Sequence, residues 1–267
     1  EDMRMNCASG LLPMVLRNMA MPEQQWTPFA SGIAVRDDVL QTLQRLWNEG
    51  EGKHSLSQYV DWNNSDLGDS RLEWLRNYQQ VVDMAKAIQS GDKLLDDAAL
   101  SILWQQRSNG ISSVGSGKLY DQAFENNRSL LADMTNKIFQ QPDSAMLAEI
   151  EDEWKQAVER GDFPKVYRVQ FRRVFAAIAP DKYTTLLRLV YCKKVIAVLG
   201  SQFQMSIPEL QDNWALLNGI IKDCLELTGV GEDHIRNNIA MWKLYEATSS
   251  DIEDGDKPRF VAIKLQH

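Results

Sequence analysis

Apolar residues recur along most of the chain at spacings of three and four, the period of a helix with one buried face. A clear case is DDVLQTLQRLWNE at 37–49, where five apolar side chains share one face. The same pattern predicts further helices over about 70–88, 96–106, 121–140, 144–161, 165–178, 186–199, 206–224 and 232–246. The chain is therefore predicted to be mainly α, a multi-helix domain.

Capping signals set the expected ends of several helices. SRLE at 70–73 and SIPE at 206–209 both match the capping box, in which a serine and a glutamate satisfy the first free N–H groups of a helix. Gly91 and Gly200 stand where glycine ends a helix, and Pro180 ends the pattern over 165–178 because proline cannot continue a helix.

Three segments are expected along the chain. Residues 1–60 would form a small N-terminal unit, because the polar stretch at 50–68 interrupts the helical pattern. Residues 61–247 would form the main helical domain. Residues 248–267 combine an acidic linker, SSDIEDGDKP, with the alternating stretch RFVAIKL, which predicts a short C-terminal strand leading into a following domain.

Composition places the chain among ordinary globular proteins, with 44% hydrophobic and 25% charged residues in 267. No run of about 18 apolar residues predicts a membrane span, and the first residues do not resemble a secretory signal. The three cysteines are scattered and odd in number, which favours a reducing, cytoplasmic setting over a disulfide framework.

Charge is distributed unevenly, although the net charge is −8 at pH 7. Between Pro164 and Val198 the chain has eight basic residues and a single acid, Asp181. A basic segment within an acidic protein is a candidate contact for nucleic acid. The alternative is that these bases form a solvated helix face and pair with the acidic helix at 144–161.

The stretch GISSVGSGKL at 110–119 resembles a phosphate-binding P-loop but departs from it at two positions. Ser112 stands in place of the first glycine, and Leu119 stands in place of the hydroxyl that binds Mg²⁺. No strand is predicted before it, so a nucleotide site is not expected. The stretch is predicted to be a helix–loop–helix connection. The alternative is a loop that holds a nucleic-acid phosphate through Arg107, Ser112, Ser113, Ser116 and Lys118.

No catalytic or metal-binding set stands out. The three histidines, His54, His234 and His267, lie far apart, and the cysteines form no CxxC pair. No cofactor is therefore expected, and no enzymatic chemistry is assigned to this part of the chain. An enzyme whose site has no recognisable motif remains a third alternative.

Two stretches together resemble the region ahead of the motor in McrB-like AAA+ restriction proteins, namely LWQQRSNGISSVGSGKLYDQAF (103–124) and RRVFAAIAPDKYTTL (172–186). The resemblance implies an amino-terminal domain that recognises DNA, often with modified cytosine, in a restriction or antiviral defence system. It also implies a GTP-hydrolysing AAA+ module that drives a nuclease partner. The motor's GxxGxGK[ST] is absent here, so the motor would lie beyond His267. No residues match the family's modified-base pocket.

These observations predict a non-catalytic domain that binds double-stranded DNA. The phosphate contacts would come from the basic helix and from the loop, in the set Lys165, Arg168, Arg172, Arg173, Lys193, Lys194, Arg107, Asn109 and Lys118. Side-chain amides near these positions are candidate base readers: Gln105, Gln106, Asn109 and Gln170. The rival interpretation is a helical protein–protein interaction module that contacts a partner or a phage component through its acidic surface.

Overall fold

The computed structural model describes residues 56–65, 68–115, 118–230 and 232–250. These residues are mainly helical and include no strand, which confirms the predicted class. After a helical stretch at 56–65, the elements are α1 (Asp69–Gln89), α2 (Asp97–Leu100), a π-helix (Ser101–Gln105), α3 (Asp121–Asn126), α4 (Arg128–Gln140), α5 (Ser144–Glu159), α6 (Arg168–Ile178), α7 (Leu189–Ser201), α8 (Trp214–Leu227) and α9 (His234–Ser250).

Some expectations concern other parts of the chain. Almost all of the proposed N-terminal unit over 1–60 lies outside the described residues, as do the helix at 37–49 and the C-terminal strand. Within the described ranges, no helix has both the length and the apolar character needed to cross a bilayer.

Neither predicted capping box caps a helix, although the helix expected over about 70–88 is present. Helix α1 starts at Asp69 after Gly68, with no side-chain cap, so Ser70 already lies inside the helix. Residues 206–213 are not helical; α8 begins at Trp214, where the side chain of Asn213 accepts hydrogen bonds from the N–H groups of Ala215 and Leu216. An asparagine can cap a helix without a glutamate three residues later, so the capping-box pattern does not reveal this cap.

Two predicted helices are interrupted. The helix over 96–106 becomes a short α2 followed by the π-helix, whose last turn closes when the N–H of Gln106 donates to Ser101 O over 2.9 Å. The helix over 121–140 breaks at Asn127, whose side-chain amide donates to Ala123 O and to Asp162 O, both over 2.9 Å. π-Turns inside helices often occur at functional sites, and this one leads directly into the loop at 106–115.

A cluster of aromatic rings forms the centre of the core. Trp154 of α5 stacks on Phe163 at a centroid distance of 4.6 Å and packs against Trp104 at 5.4 Å and Phe171 at 6.0 Å. All four side chains are buried. Helix α6 is therefore central, and its apolar positions face the core as the sequence predicts.

Most of the connection between α6 and α7 is buried although it is not helical. Its backbone groups are satisfied by side chains from later helices, because a buried, unpaired peptide group would be costly. Asn218 accepts hydrogen bonds from the N–H and the hydroxyl of Thr184, each over 2.7 Å. Asn238 donates to Pro180 O over 3.0 Å and to Tyr183 O over 3.1 Å. Helices α8 and α9 are thereby tied to the end of α6.

Candidate nucleic-acid interface

The basic segment does not form one positive face. Of its eight bases, Arg172 and Arg173 are buried, and Arg168 and Lys193 are engaged in ion pairs. Only part of the predicted phosphate-binding set therefore remains available at the surface.

Arg173 has a structural role in the interior. Its side chain is fully buried, and its guanidinium donates to Gln106 O over 2.7 Å and to Leu103 O over 3.1 Å. Burial lowers the pKa of Arg173 to about 9, since a charge is disfavoured in a poorly solvated site. The expectation that Arg173 holds a phosphate is corrected: this residue joins α6 to carbonyl groups at the end of the π-helix.

Arg172 is likewise turned inward. Its guanidinium donates to Leu187 O over 3.1 Å and lies over the ring of Trp214, 5.6 Å from the centroid. Burial lowers the pKa of Arg172 from its ordinary value. The expectation that Arg172 holds a phosphate is corrected as well, because α6 is packed on several sides and Arg172 is buried.

Three other bases of the predicted phosphate-binding set also have partners within the chain. Arg168 is exposed, but its Nε and Nη2 both lie 2.8 Å from a carboxylate oxygen of Glu151 on α5. This ion pair agrees with the alternative interpretation, in which bases of this segment pair with the acidic helix at 144–161. Lys165 precedes α6 and lies over Tyr167, 5.1 Å from the ring centroid, and the ammonium of Lys193 pairs with Asp212.

Asn109 stabilises the loop and is not a surface contact. It is buried, its amide nitrogen donates to Ile102 O over 3.0 Å, and its Oδ1 accepts from the N–H of Ile111 over 3.2 Å. These bonds use the side chain within the loop, so the expectation that Asn109 contacts DNA is corrected. Gln170 is also fully buried, and so it is not positioned as a base reader.

Lys118 pairs with an acid close by in the chain. Its ammonium lies 2.8 Å from Asp121 Oδ1, at the start of α3. Gln105 donates to the same carboxylate oxygen over 3.1 Å. By contrast Arg107 is exposed, and it forms no ion pair within the described residues.

The loop that begins at Gln106 packs tightly against α1. Gly110 has φ of +83°, and a Cβ there would lie 2.5 Å from the backbone carbonyl group of Asn77, so the site requires glycine. The indole N–H of Trp74 donates to Gly110 O over 2.6 Å. The loop follows a π-helix and no strand, as the sequence predicts.

Where this loop meets α1 and α9, an open groove of about 380 Å³ forms. Its apolar lining comes from Trp74, Ile111 and Trp242, and the two tryptophan rings are nearly perpendicular, 6.4 Å apart. The polar lining consists of the side chains of Ser70, Glu73, Asn77, Ser108, Ser112, Ser113, Lys243 and Glu246. The Ser112 hydroxyl is enclosed and has no hydrogen-bond partner among the described residues. The groove thus offers flat rings beside polar groups.

From the groove, the aromatic surface continues along α7 and α9. Trp242 lies 5.3 Å from Tyr245, and Tyr245 lies 4.3 Å from Tyr191, measured between ring centroids. All three side chains, like Trp74, are half-buried and so keep part of their rings in solvent. We call Trp74, Trp242, Tyr245 and Tyr191 the aromatic cluster.

Two cations lie on this cluster. Arg188 is 5.5 Å from the centroid of Tyr191, and Lys194 is 5.6 Å from that of Tyr245. Neither has a carboxylate partner in the part of the chain that the structure describes. The indole N–H of Trp242 and the ammonium of Lys243 both donate to Glu246. The other carboxylate of the groove, Glu73, forms no ion pair with any described residue.

The structure therefore brings together residues that sequence reasoning had not joined. Lys194 belongs to the predicted set, whereas Arg188 and the aromatic cluster were missed. Periodicity cannot separate a ring on a half-exposed helix face from a core ring, because both recur at helical spacing. Among the described residues no cluster of three or more His, Cys, Asp or Glu side chains is arranged to hold a metal ion.

Comparisons with protein families, curated proteins and solved structures found no match to this chain.

Proposed function

We propose that this chain is a non-catalytic DNA-recognition domain, of the kind found ahead of the motor in McrB-like restriction proteins. The groove and the aromatic cluster would form its contact surface. The observation that carries the proposal is the continuity between a groove lined by two tryptophans and an aromatic cluster with two cations on it, neither held by a described carboxylate. Rings that stack on bases beside cations that neutralise phosphates form a common arrangement for nucleic-acid binding.

The loop at 106–115 supports the same proposal. It belongs to one of the two stretches that carry the resemblance, and it forms one wall of the groove. Arg173, from the other stretch, donates to the carbonyl of Gln106, where this loop begins. The two stretches are far apart in the chain, yet this hydrogen bond joins them at the start of the loop.

The polar groups in the groove suit a base edge better than a phosphate. Glu73 would repel a phosphate but can accept a hydrogen bond from an exocyclic amino group. Phosphates would instead meet Arg188 and Lys194, beyond the rings. A modified cytosine stays a proposal drawn from the resemblance, as do the motor and the nuclease partner.

The test compares two pairs of charge reversals in a DNA-binding assay. Fluorescence anisotropy with labelled DNA should show that Arg188→Glu with Lys194→Glu weakens binding by about tenfold or more. The salt slope should fall by about 1 for each phosphate that the variant no longer neutralises. The matched control, Lys165→Glu with Arg168→Glu, should change affinity less than about twofold, since Arg168 already pairs with Glu151 and Lys165 lies over Tyr167, outside the aromatic cluster. A larger effect of the control pair would assign the interface to α6.

A panel of duplexes tests specificity. Unmodified, methylated and hydroxymethylated versions of one sequence are compared at fixed salt. A recognition domain should prefer at least one of them clearly, whereas equal affinities would indicate contacts to the backbone alone.

The second candidate is a protein-interaction module, and an exposed apolar ridge favours it. Leu216 and Leu227 on α8 are 45% and 58% exposed, and they lie on the same helix face as half-buried Ile220 and the exposed acid Asp223. If no DNA binds while substitutions of both leucines by Gln abolish association with a purified partner, this candidate replaces the first.

A further inference from the structure

The four rings of the aromatic cluster differ in kind from a surface that holds only phosphates. Each ring is half-buried, and the spacings from Trp74 through Trp242 and Tyr245 to Tyr191 are 6.4, 5.3 and 4.3 Å. Aromatic rings arranged in this way can stack against a ligand that presents flat faces. In a duplex the base faces are stacked inside the helix, whereas in an unpaired strand they are accessible.

The cations bordering the rings are few. Arg188 and Lys194 lie over the tyrosines, and Arg107 precedes Ser108 of the groove. Proteins that bind duplexes through their phosphates commonly neutralise about 6–10 of them. The rest of this chain is acidic, with a net charge of −8 overall, so a long duplex would be repelled elsewhere on the surface.

We infer that the strand engaged by the groove and the aromatic cluster is unpaired DNA, held by stacking on the four rings and by phosphate contacts to Arg107, Arg188 and Lys194. This inference rests on the proposed function, because it names the form of DNA that the same surface binds. It departs from the expectation of a double-stranded ligand, which was based on the basic helix α6.

The experiment uses one labelled oligonucleotide of about 12 nucleotides, offered alone and annealed to its complement. Anisotropy titrations should show affinity at least about tenfold higher for the single strand. Because each phosphate contact to a single strand contributes about 0.7 to the slope of log K against log salt, three contacts predict a slope of about −2. Binding should also change the fluorescence of the tryptophans in the groove.

Stacking is tested by removing rings while keeping apolar bulk. Tyr191→Leu and Tyr245→Leu should each weaken binding of the single strand by about tenfold, in the range of measured base–aromatic contributions. Tyr120→Leu is the matched control, since Tyr120 is 63% exposed and lies outside the cluster. Circular dichroism and thermal melting show whether each variant is folded, and a rescue variant, Tyr191→Phe, should retain affinity because it keeps the ring.

The outcomes separate the inference from the function on which it rests. Equal or tighter binding to the duplex, still weakened by Arg188→Glu, would overturn the unpaired-strand inference and leave DNA recognition in place. Binding of the single strand that is insensitive to both Tyr→Leu variants would overturn the stacking role. Absence of binding to either form would overturn the proposed function, and this inference with it.

Discussion

Lys222 of α8 provides a sharp prediction, because its amine is buried between neutral acceptors. Nζ donates to Pro180 O and to Asn238 Oδ1, each over 2.6 Å, and it forms no ion pair within the described residues. Burial lowers the pKa of Lys222 from 10.5 to about 7, while the charge of Asp181 acts in the opposite direction. Two acceptors match the two N–H groups of a neutral amine; an ammonium has three.

The sign of the pH dependence follows from the direction of this shift. Between about pH 7 and pH 10.5, the unfolded chain holds a proton on Lys222 that the folded chain has released. The free energy of unfolding therefore rises with pH in this window, by up to about 1.4 kcal/mol per pH unit. Integrated from about pH 6 to 8.5, the contribution of Lys222 amounts to about 2 kcal/mol. Well below pH 7 both states are protonated, and the dependence disappears.

The assay is urea unfolding at a series of pH values from about 6 to 8.5. Lys222→Met removes the titrating group but keeps the length of the side chain. Between about pH 6 and 8.5, the free energy of unfolding of this variant should therefore rise about 2 kcal/mol less than that of the wild type. Lys86→Met is the control, because Lys86 is exposed on α1. All other ionisable groups of the chain are common to the wild type and Lys222→Met and cancel in the comparison. Parallel profiles for wild type and Lys222→Met would refute the reasoning.

Three further predictions concern the loop and the buried connection. Gly110→Ala should destabilise the fold by about 2 kcal/mol or more in urea unfolding, because a Cβ at this position would lie 2.5 Å from the backbone of α1. The control is Gly219→Ala inside α8, where a Cβ would have no atom within 4 Å. This variant should instead stabilise the fold by up to about 1 kcal/mol, because alanine favours a helix more than glycine does. Asn218→Ala should lower the free energy of unfolding by about 2–3 kcal/mol, because the buried N–H of Thr184 is left without its acceptor. The control, Asn136→Ala on the exposed face of α4, should change it by no more than about 0.5 kcal/mol. Calorimetry with GTP or ATP and Mg²⁺ should show no saturable heat, and a site abolished by Lys118→Ala would contradict this.

Local helix positions could be predicted well, but capping and interruption could not. The acidic helix expected at 144–161 is α5, Ser144–Glu159, with its apolar face buried as predicted. The break at Asn127 and the π-turn at 101–105 depend on distant partners: the carbonyl of Asp162 for the first, and Thr135, which accepts from Trp104 over 2.9 Å, for the second. A pattern of apolar spacing contains no information on such contacts.

The sequence by itself determined the helical class, the core face of α6 and the absence of a strand ahead of the loop at 106–115. All three features follow from the apolar periodicity and from residues that are neighbours in the chain. Only the tertiary structure decided which basic side chains are buried and which remain at the surface. Arg172 and Arg173 stand in a basic segment, yet packing around α6 encloses them, and carbonyl groups from other elements become their partners. Arg188 and Lys194 remain at the surface over tyrosine rings. Whether a cation meets solvent, a carboxylate or a carbonyl depends on which elements pack against it, and that is a property of the folded chain.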